Sequence, residues 1–186
     1  PMVWAASNQR TYNSSTSWRL SYPANSDEGL MPSGTAQLQR SAVTLPAVDS
    51  NQKLTLVYRQ FFDFDREDET TCFVSENNIP PGTNGDGGVV TITVGGSEEI
   101  LSPERGYSEQ LVDIGTVVGN DQVCQDHPDA SMFGSRSQGF TDGSFDSVSV
   151  DLSAYAGQSI QVGLKGIWDC GNCFWSTGED AEGWYI

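Results

Sequence analysis

The sequence predicts an all-β chain folded as a two-sheet antiparallel sandwich with long loops. Three observations carry this. Apolar residues recur at every second position in several separate runs, which is the period of a half-buried strand. Twenty glycines and eight prolines in 186 residues punctuate those runs. Extended helical periodicity is scarce. At this length a single β domain buries roughly 70% of its unfolded surface.

The first 35 residues are polar and irregular, with Trp4, Tyr12, Trp18, Leu20 and Tyr22 as large anchors. They predict one N-terminal strand and a loop whose tryptophans cap the sandwich. Asn13-Ser14-Ser15 is formally a glycosylation sequon, a triplet that also arises by chance. Residues 35–48 alternate around Leu38, Val43 and Leu45 and turn at Pro46. Residues 53–65 (KLTLVYRQFFDFD) form the next strand, with Leu54, Leu56, Tyr58, Gln60 and Phe62 on one face. Its opposite face carries Val57 and Phe61, so both faces are expected to be partly covered. Asp63 and Asp65 at its end project to the same side.

From residue 66 to 88 the periodicity fails, and the stretch reads as a long loop tied down by Cys72. VVTITV, residues 89–94, is a β-branched strand that reaches a Gly95-Gly96 turn and a short EEIL segment. Residues 102–143 read mostly as loop, with Leu111, Val112, Ile114, Val117 and Val118 as a buried patch. In residues 144–186 alternation returns at Val148, Val150 and Leu152, then at Ile160, Val162 and Leu164. SAYAGQ separates the two runs, which predicts a closing hairpin with Tyr155 and Ala156 over the end of the core. No repeat or linker divides the chain, so residues 1–186 are expected to be one domain. Pro1 is not the product of a start codon, and the chain reads as a piece processed or excised from a longer one.

Composition narrows the partners. Twenty-five acidic residues against nine basic give a net charge of −16. Such a field repels nucleic acid and anionic lipid surfaces. No apolar run approaches the roughly 18 residues of a membrane span. The acidity serves solubility in a saline or extracellular setting, or part of it gathers calcium. Four cysteines in a Gly-rich, Lys-poor β chain suggest an oxidising compartment. Four allow three pairings. Cys170 and Cys173 are close enough to bridge locally, which leaves Cys72 with Cys124, a loop worth about 4 kcal/mol of unfolded-state entropy. The CGNC spacing with His127 near Cys124 keeps zinc as a rival. Haem attachment is excluded, because Phe174 stands where histidine is required.

VDLSAYAGQSIQV followed by EGWYI closely resembles the end of MAM-like, galactose-binding-like jelly-roll modules appended to secreted bacterial proteases and other exported proteins. LTLVYRQFFDFD is similar to the long central strand of that family, and GDGGVVTITVGG to its Asp-Gly-Gly strand. Two departures stand out: the Cys72 loop intervenes between those strands, and WDCGNCFWSTGED is inserted before Glu182. The family's tail motif runs on into a closing strand, whereas this chain stops at Ile186. The resemblance implies an extracellular jelly roll that is an accessory or adhesive module. It also implies that Asp65, Asp86 and Glu182 approach one another, with Asp63 and Asp180 as neighbours, as oxygen ligands for calcium. The alternative is that these acids are solvated loop ends.

Glu98-Glu99 and Glu179/Glu182 could be offered as the paired carboxylates of a glycoside hydrolase, but adjacent carboxylates on a strand point to opposite faces. His127 has no recognisable nucleophile motif around it. Trp168 and Trp184 read as core. Trp175, beside Ser176 and Thr177 in the Cys170–Cys173 insertion, is the ring suited to stacking on a sugar or anchoring a peptide, or else it folds back on its own loop. The function expected is therefore a non-catalytic module that binds carbohydrate or protein, or packs on a neighbouring domain. A carbohydrate-active enzyme and a subunit self-associating through edges left by a missing final strand are the alternatives. The oxidising reading predicts no free thiol in the native protein and a Cys72–Cys124 peptide on mapping. Four free thiols with one equivalent of zinc would establish the rival.

Overall fold

The computed structural model describes residues 3–21, 34–64, 83–84, 87–111, 131–134, 136–168 and 183–186. The elements are β1 (Val3–Ser7), β2 (Ser17–Ser21), β3 (Gly34–Gln39), β4 (Val43–Thr44), β5 (Thr55–Asp63), β6 (Thr83–Asn84) and β7 (Gly87–Val94). They continue with β8 (Ser97–Leu101), β9 (Glu109–Leu111), β10 (Ser131–Met132), β11 (Asp146–Asp151), β12 (Ser159–Trp168) and β13 (Gly183–Tyr185). One 3₁₀ turn, Ser153–Tyr155, joins β11 to β12, and there is no α-helix among the described residues. None of them therefore forms a helix long and apolar enough to cross a membrane.

Two antiparallel sheets pack face to face. The first runs β1-β2-β13-β5-β11; the second runs β3-β12-β7-β8, with β4 on the end of β12. The pairings are nested: β2 with β13, β3 with β12, β5 with β11, β7 with β8. A chain folded back on itself and rolled into two layers gives this order, which is a jelly roll. A small sheet, β10-β9-β6, meets the start of β7, where Gly88 and Phe133 exchange both backbone hydrogen bonds at 2.8 Å.

The roll corrects two expectations. The closing hairpin does not exist as a hairpin. β11 pairs with β5 in the first sheet and β12 with β3 and β7 in the second, so the 3₁₀ turn arches between layers. Alternation alone gives each strand a buried face but not the sheet it joins. The N-terminal stretch is likewise two strands, since VWAAS and SWRLS pair along their whole length.

The core between the sheets has one dominant feature. Trp184 and Leu20 are a cross-strand pair on the first sheet, and both are fully buried. Opposite them on the second sheet, Gly88 and Gly166 are also a cross-strand pair. A Cβ on Gly88 would lie 2.4 Å from the Trp184 ring, and one on Gly166 would lie on Leu20 Cδ2. Two glycines thus form a recess that the two large side chains fill. Trp4 at 5.4 Å, Phe133 at 6.2 Å and Phe64 at 6.1 Å from the Trp184 ring complete the packing.

On the outer face of the second sheet the polar groups satisfy one another. Gln37 Nε2 donates to Thr91 Oγ1 (2.9 Å) and Glu98 Oε2 (2.6 Å), and Lys165 Nζ lies 3.0 Å from Glu98 Oε1.

Gly88→Ala forces the Trp184 ring to shift in a close-packed site. It should cost about 1–3 kcal/mol in chemical denaturation, the usual range for overpacking a core. Val57→Ala, at an outward position 59% exposed, should stay within about 0.5 kcal/mol of the parent.

Candidate binding cleft

At the edge where β11 faces the segment after β8, the two sheets do not meet. The opening is a cleft of about 170 Å³, lined by Gln60, Phe62, Tyr107, Phe133, Arg105, Arg136, Gln138, Asp146 and the 147–149 stretch of β11. Its walls follow from local sequence. β8 ends at Leu101, and Pro103 starts a tight turn in which Gly106 N–H bonds Pro103 O at 2.8 Å. Glu104 N–H reaches Ser149 O on β11 at 2.8 Å, so this turn bridges the sheets at the rim.

Tyr107 then enters the cleft wall. Its hydroxyl donates to Leu101 O (2.6 Å) and accepts from Val90 N–H (3.0 Å). Its ring stands edge-on to Phe133 at 4.8 Å. On the other wall Gln60 is the single amide on the inner face of β5, 2% exposed. Its Oε1 accepts from Trp184 Nε1 (3.1 Å) and Tyr58 Oη (3.4 Å), which fixes the orientation of the amide. Asp146 is opposite Gln60 in the ladder, and its Oδ2 accepts from Gln138 N–H at 2.9 Å.

Two phenols lie at or beside the cleft. Burial pushes both the Tyr58 and Tyr107 phenols above their ordinary range. Their mutual proximity adds to the shift at Tyr58, and the Val90 N–H offsets part of it at Tyr107. Both are therefore neutral hydroxyls at physiological pH. Away from the cleft, the Tyr155 phenol is pushed up to about 12, first by its 2.6 Å hydrogen bond to Glu99.

The residues singled out in the sequence fall as follows. Asp63 is 6% exposed, and its Oδ1 lies 2.9 Å from Arg136 Nε, so a guanidinium engages it. Asp65, Asp86, Asp180 and Glu182 lie outside the described residues, as do Trp175, Ser176, Thr177 and the four cysteines, Cys72, Cys124, Cys170 and Cys173. Among the described residues no group of three or more His, Cys, Asp or Glu is placed to hold a metal ion. The cleft residues form no recognisable motif in the sequence, because they come from distant stretches of it. One signal was present: Gln60 interrupts an otherwise apolar inner face. No protein-family model matches the chain, and no curated protein matches it.

Tyr107→Phe removes a hydrogen bond and leaves the Val90 N–H without its partner, which should cost about 1–3 kcal/mol. The pH dependence has a definite sign. Unfolded, the tyrosines ionise near 10; folded, Tyr58, Tyr107 and Tyr155 hold their protons to higher pH. Above pH 10 the unfolded state therefore binds fewer protons, and the stability these groups lend is lost as pH rises. Melting temperature should fall beyond that point. In Glu99→Gln the phenolate absorbance of Tyr155 should titrate closer to 10.

Proposed function

We propose that the chain is a non-catalytic extracellular module of the MAM-like, galactose-binding-like kind, accessory or adhesive in role, which takes a carbohydrate in the cleft beside β11. The observation that carries this reading is the mixture of groups in the cleft. Two aromatic rings (Tyr107 and Phe133) stand beside an amide, a carboxylate, guanidinium groups and hydroxyls. Hydroxylated rings need that combination of apolar faces and hydrogen-bonding edges. Arg105→Ala and Gln138→Ala should each weaken glycan binding by about tenfold, roughly 1.4 kcal/mol, with little change in melting temperature. A blank glycan array, run with calcium and with chelator, would overturn the carbohydrate reading.

Calcium is the cofactor in this proposal, held by Asp65, Asp86 and Glu182 with Asp63 and Asp180 nearby. Support comes from the strand ends next to those acids in sequence. Gly183 pairs with Asp63, and Gly88 packs beneath Trp184. The end of β5 and the starts of β7 and β13 thus share one end of the sandwich. A cation bound only by the folded form stabilises by RT ln(1 + [L]/Kd), about 2.7 kcal/mol at a hundredfold excess over Kd. Chelation should lower the melting temperature by several degrees, and magnesium should restore little of it. Asp65→Asn should abolish the response, whereas Glu104→Gln should keep it. Identical melts in calcium and chelator at low salt would remove calcium from the account.

A further inference from the structure

The loop between β1 and β2 carries the only Asn-X-Ser/Thr triplet of the chain, Asn13-Ser14-Ser15. Chance supplies many such triplets, so its place in the fold decides what it is worth. The loop is tied down at its base. Ser17 Oγ donates to Arg10 O at 2.5 Å, and Tyr185 Oη donates to Gln9 Oε1 at 3.1 Å. It then lies on the outer face of the first sheet, over a cluster of rings and guanidinium groups. Arg10 is 3.9 Å from the Phe61 ring centroid, and Arg19 is 5.4 Å from that of Tyr185. The Tyr12 ring is 6.0 Å from Phe145, with the Arg59 guanidinium 5.0 Å from its own centroid.

Past Tyr12 this support ends. Asn13 takes φ +52°, and among the described residues no other non-glycine residue has positive φ. Asparagine is one of the few side chains that accept the left-handed region, so the residue type suits the turn. Residues 12–16 are all exposed. Ser14 Oγ donates to Thr16 O at 2.5 Å, which closes the turn on itself. The Asn13 amide and the Ser15 hydroxyl, by contrast, have no hydrogen-bond partner among the described residues. Those are the two groups that an N-glycosyl transferase reads, and Ser14 between them is not the proline that would block it.

We propose that Asn13 is the acceptor of an N-linked glycan. This rests on the extracellular reading above, because the transfer takes place on the export side of a membrane. The co-reactant is a lipid diphosphate oligosaccharide. A bond forms between Asn13 Nδ2 and C1 of the first sugar as the bond from C1 to the phosphate oxygen breaks. The lipid diphosphate leaves with that electron pair, and one Nδ2 proton passes to a base of the transferase. A bulky, hydrated glycan there shields Tyr12, which is 45% exposed, and makes the loop more soluble.

Mass spectrometry of the protein isolated from its own source tests this, on the tryptic peptide Thr11–Arg19. The expected result is a glycan on that peptide, released by peptide N-glycosidase in ¹⁸O-water with Asn13 converted to labelled Asp. Asn13→Asp, which tolerates the same positive φ, and Ser15→Ala should each lose the glycan completely, while Ser15→Thr should keep it. Melting temperatures of the two unglycosylated variants should match that of the enzymatically deglycosylated parent. An unmodified Thr11–Arg19 peptide from protein recovered outside the cell would overturn the proposal and leave the extracellular reading standing. Protein confined to the cytosol would overturn both. A glycan that survives the glycosidase and persists in Asn13→Asp would overturn it by placing the sugar on the neighbouring hydroxyls.

Discussion

The two sheets are held in register by a size exchange: glycine opposite glycine on one layer, tryptophan beside leucine on the other. The Trp184 ring lies against Gly88, and Leu20 lies against Gly166. β-sheets ordinarily stand about 10 Å apart with side chains from both filling the gap. Here one layer contributes hydrogen atoms and the other contributes the bulk. That exchange fixes the end of β5, because Trp184 is paired with Phe62, and through its indole N–H it also fixes Gln60. The cleft wall and the end of β5 therefore depend on the same contact.

Charge divides the molecule differently from packing. Eight of the nine basic residues fall within the described residues, but only nine of the 25 acidic ones do. The described residues are close to charge-balanced, and most of the net −16 falls in the rest of the sequence. The net charge of the whole chain is therefore a weak guide to the outer face of the first sheet, where Arg10, Arg19 and Arg59 lie against aromatic rings.

Most strands were legible because each has one side facing the core. β5, β7 and β12 announce themselves by alternation and β-branching, and the inner face of β5 was read residue by residue. The Gly95-Gly96 reversal was legible too: both residues take positive φ, +58° and +88°, which glycine adopts without strain. Layer assignment was not legible, because a short connection such as SAYAGQ serves a hairpin or an arch equally well. β1 and β2 were obscured by serine and alanine on their outer faces, and β10 by its brevity. The cleft was hidden for a topological reason. Gln60, Tyr107, Gln138 and Asp146 are up to 86 positions apart in the numbering, and only the rolled topology brings them together. The outer aromatic and arginine cluster has the same origin, with Phe61 and Tyr185 made neighbours by the pairing of β13 with β5.

The position of β13 has a consequence for how the chain assembles. Three residues near the C-terminus, Gly183–Tyr185, pair with β2 on one side and β5 on the other. Among the described residues the β1–β2 hairpin has no ladder to β5 and joins the first sheet through β13. During synthesis, the hairpin and the β5–β11 pair can each form early, yet the sheet that unites them waits for β13 to emerge. Contacts that span nearly the whole sequence make folding slow relative to local pairing. Until then the recess at Gly88 and Gly166 stands open without its tryptophan. A chain in which β13 is not yet paired has an unfilled apolar groove, and β13 acts as the latch that ends that exposure.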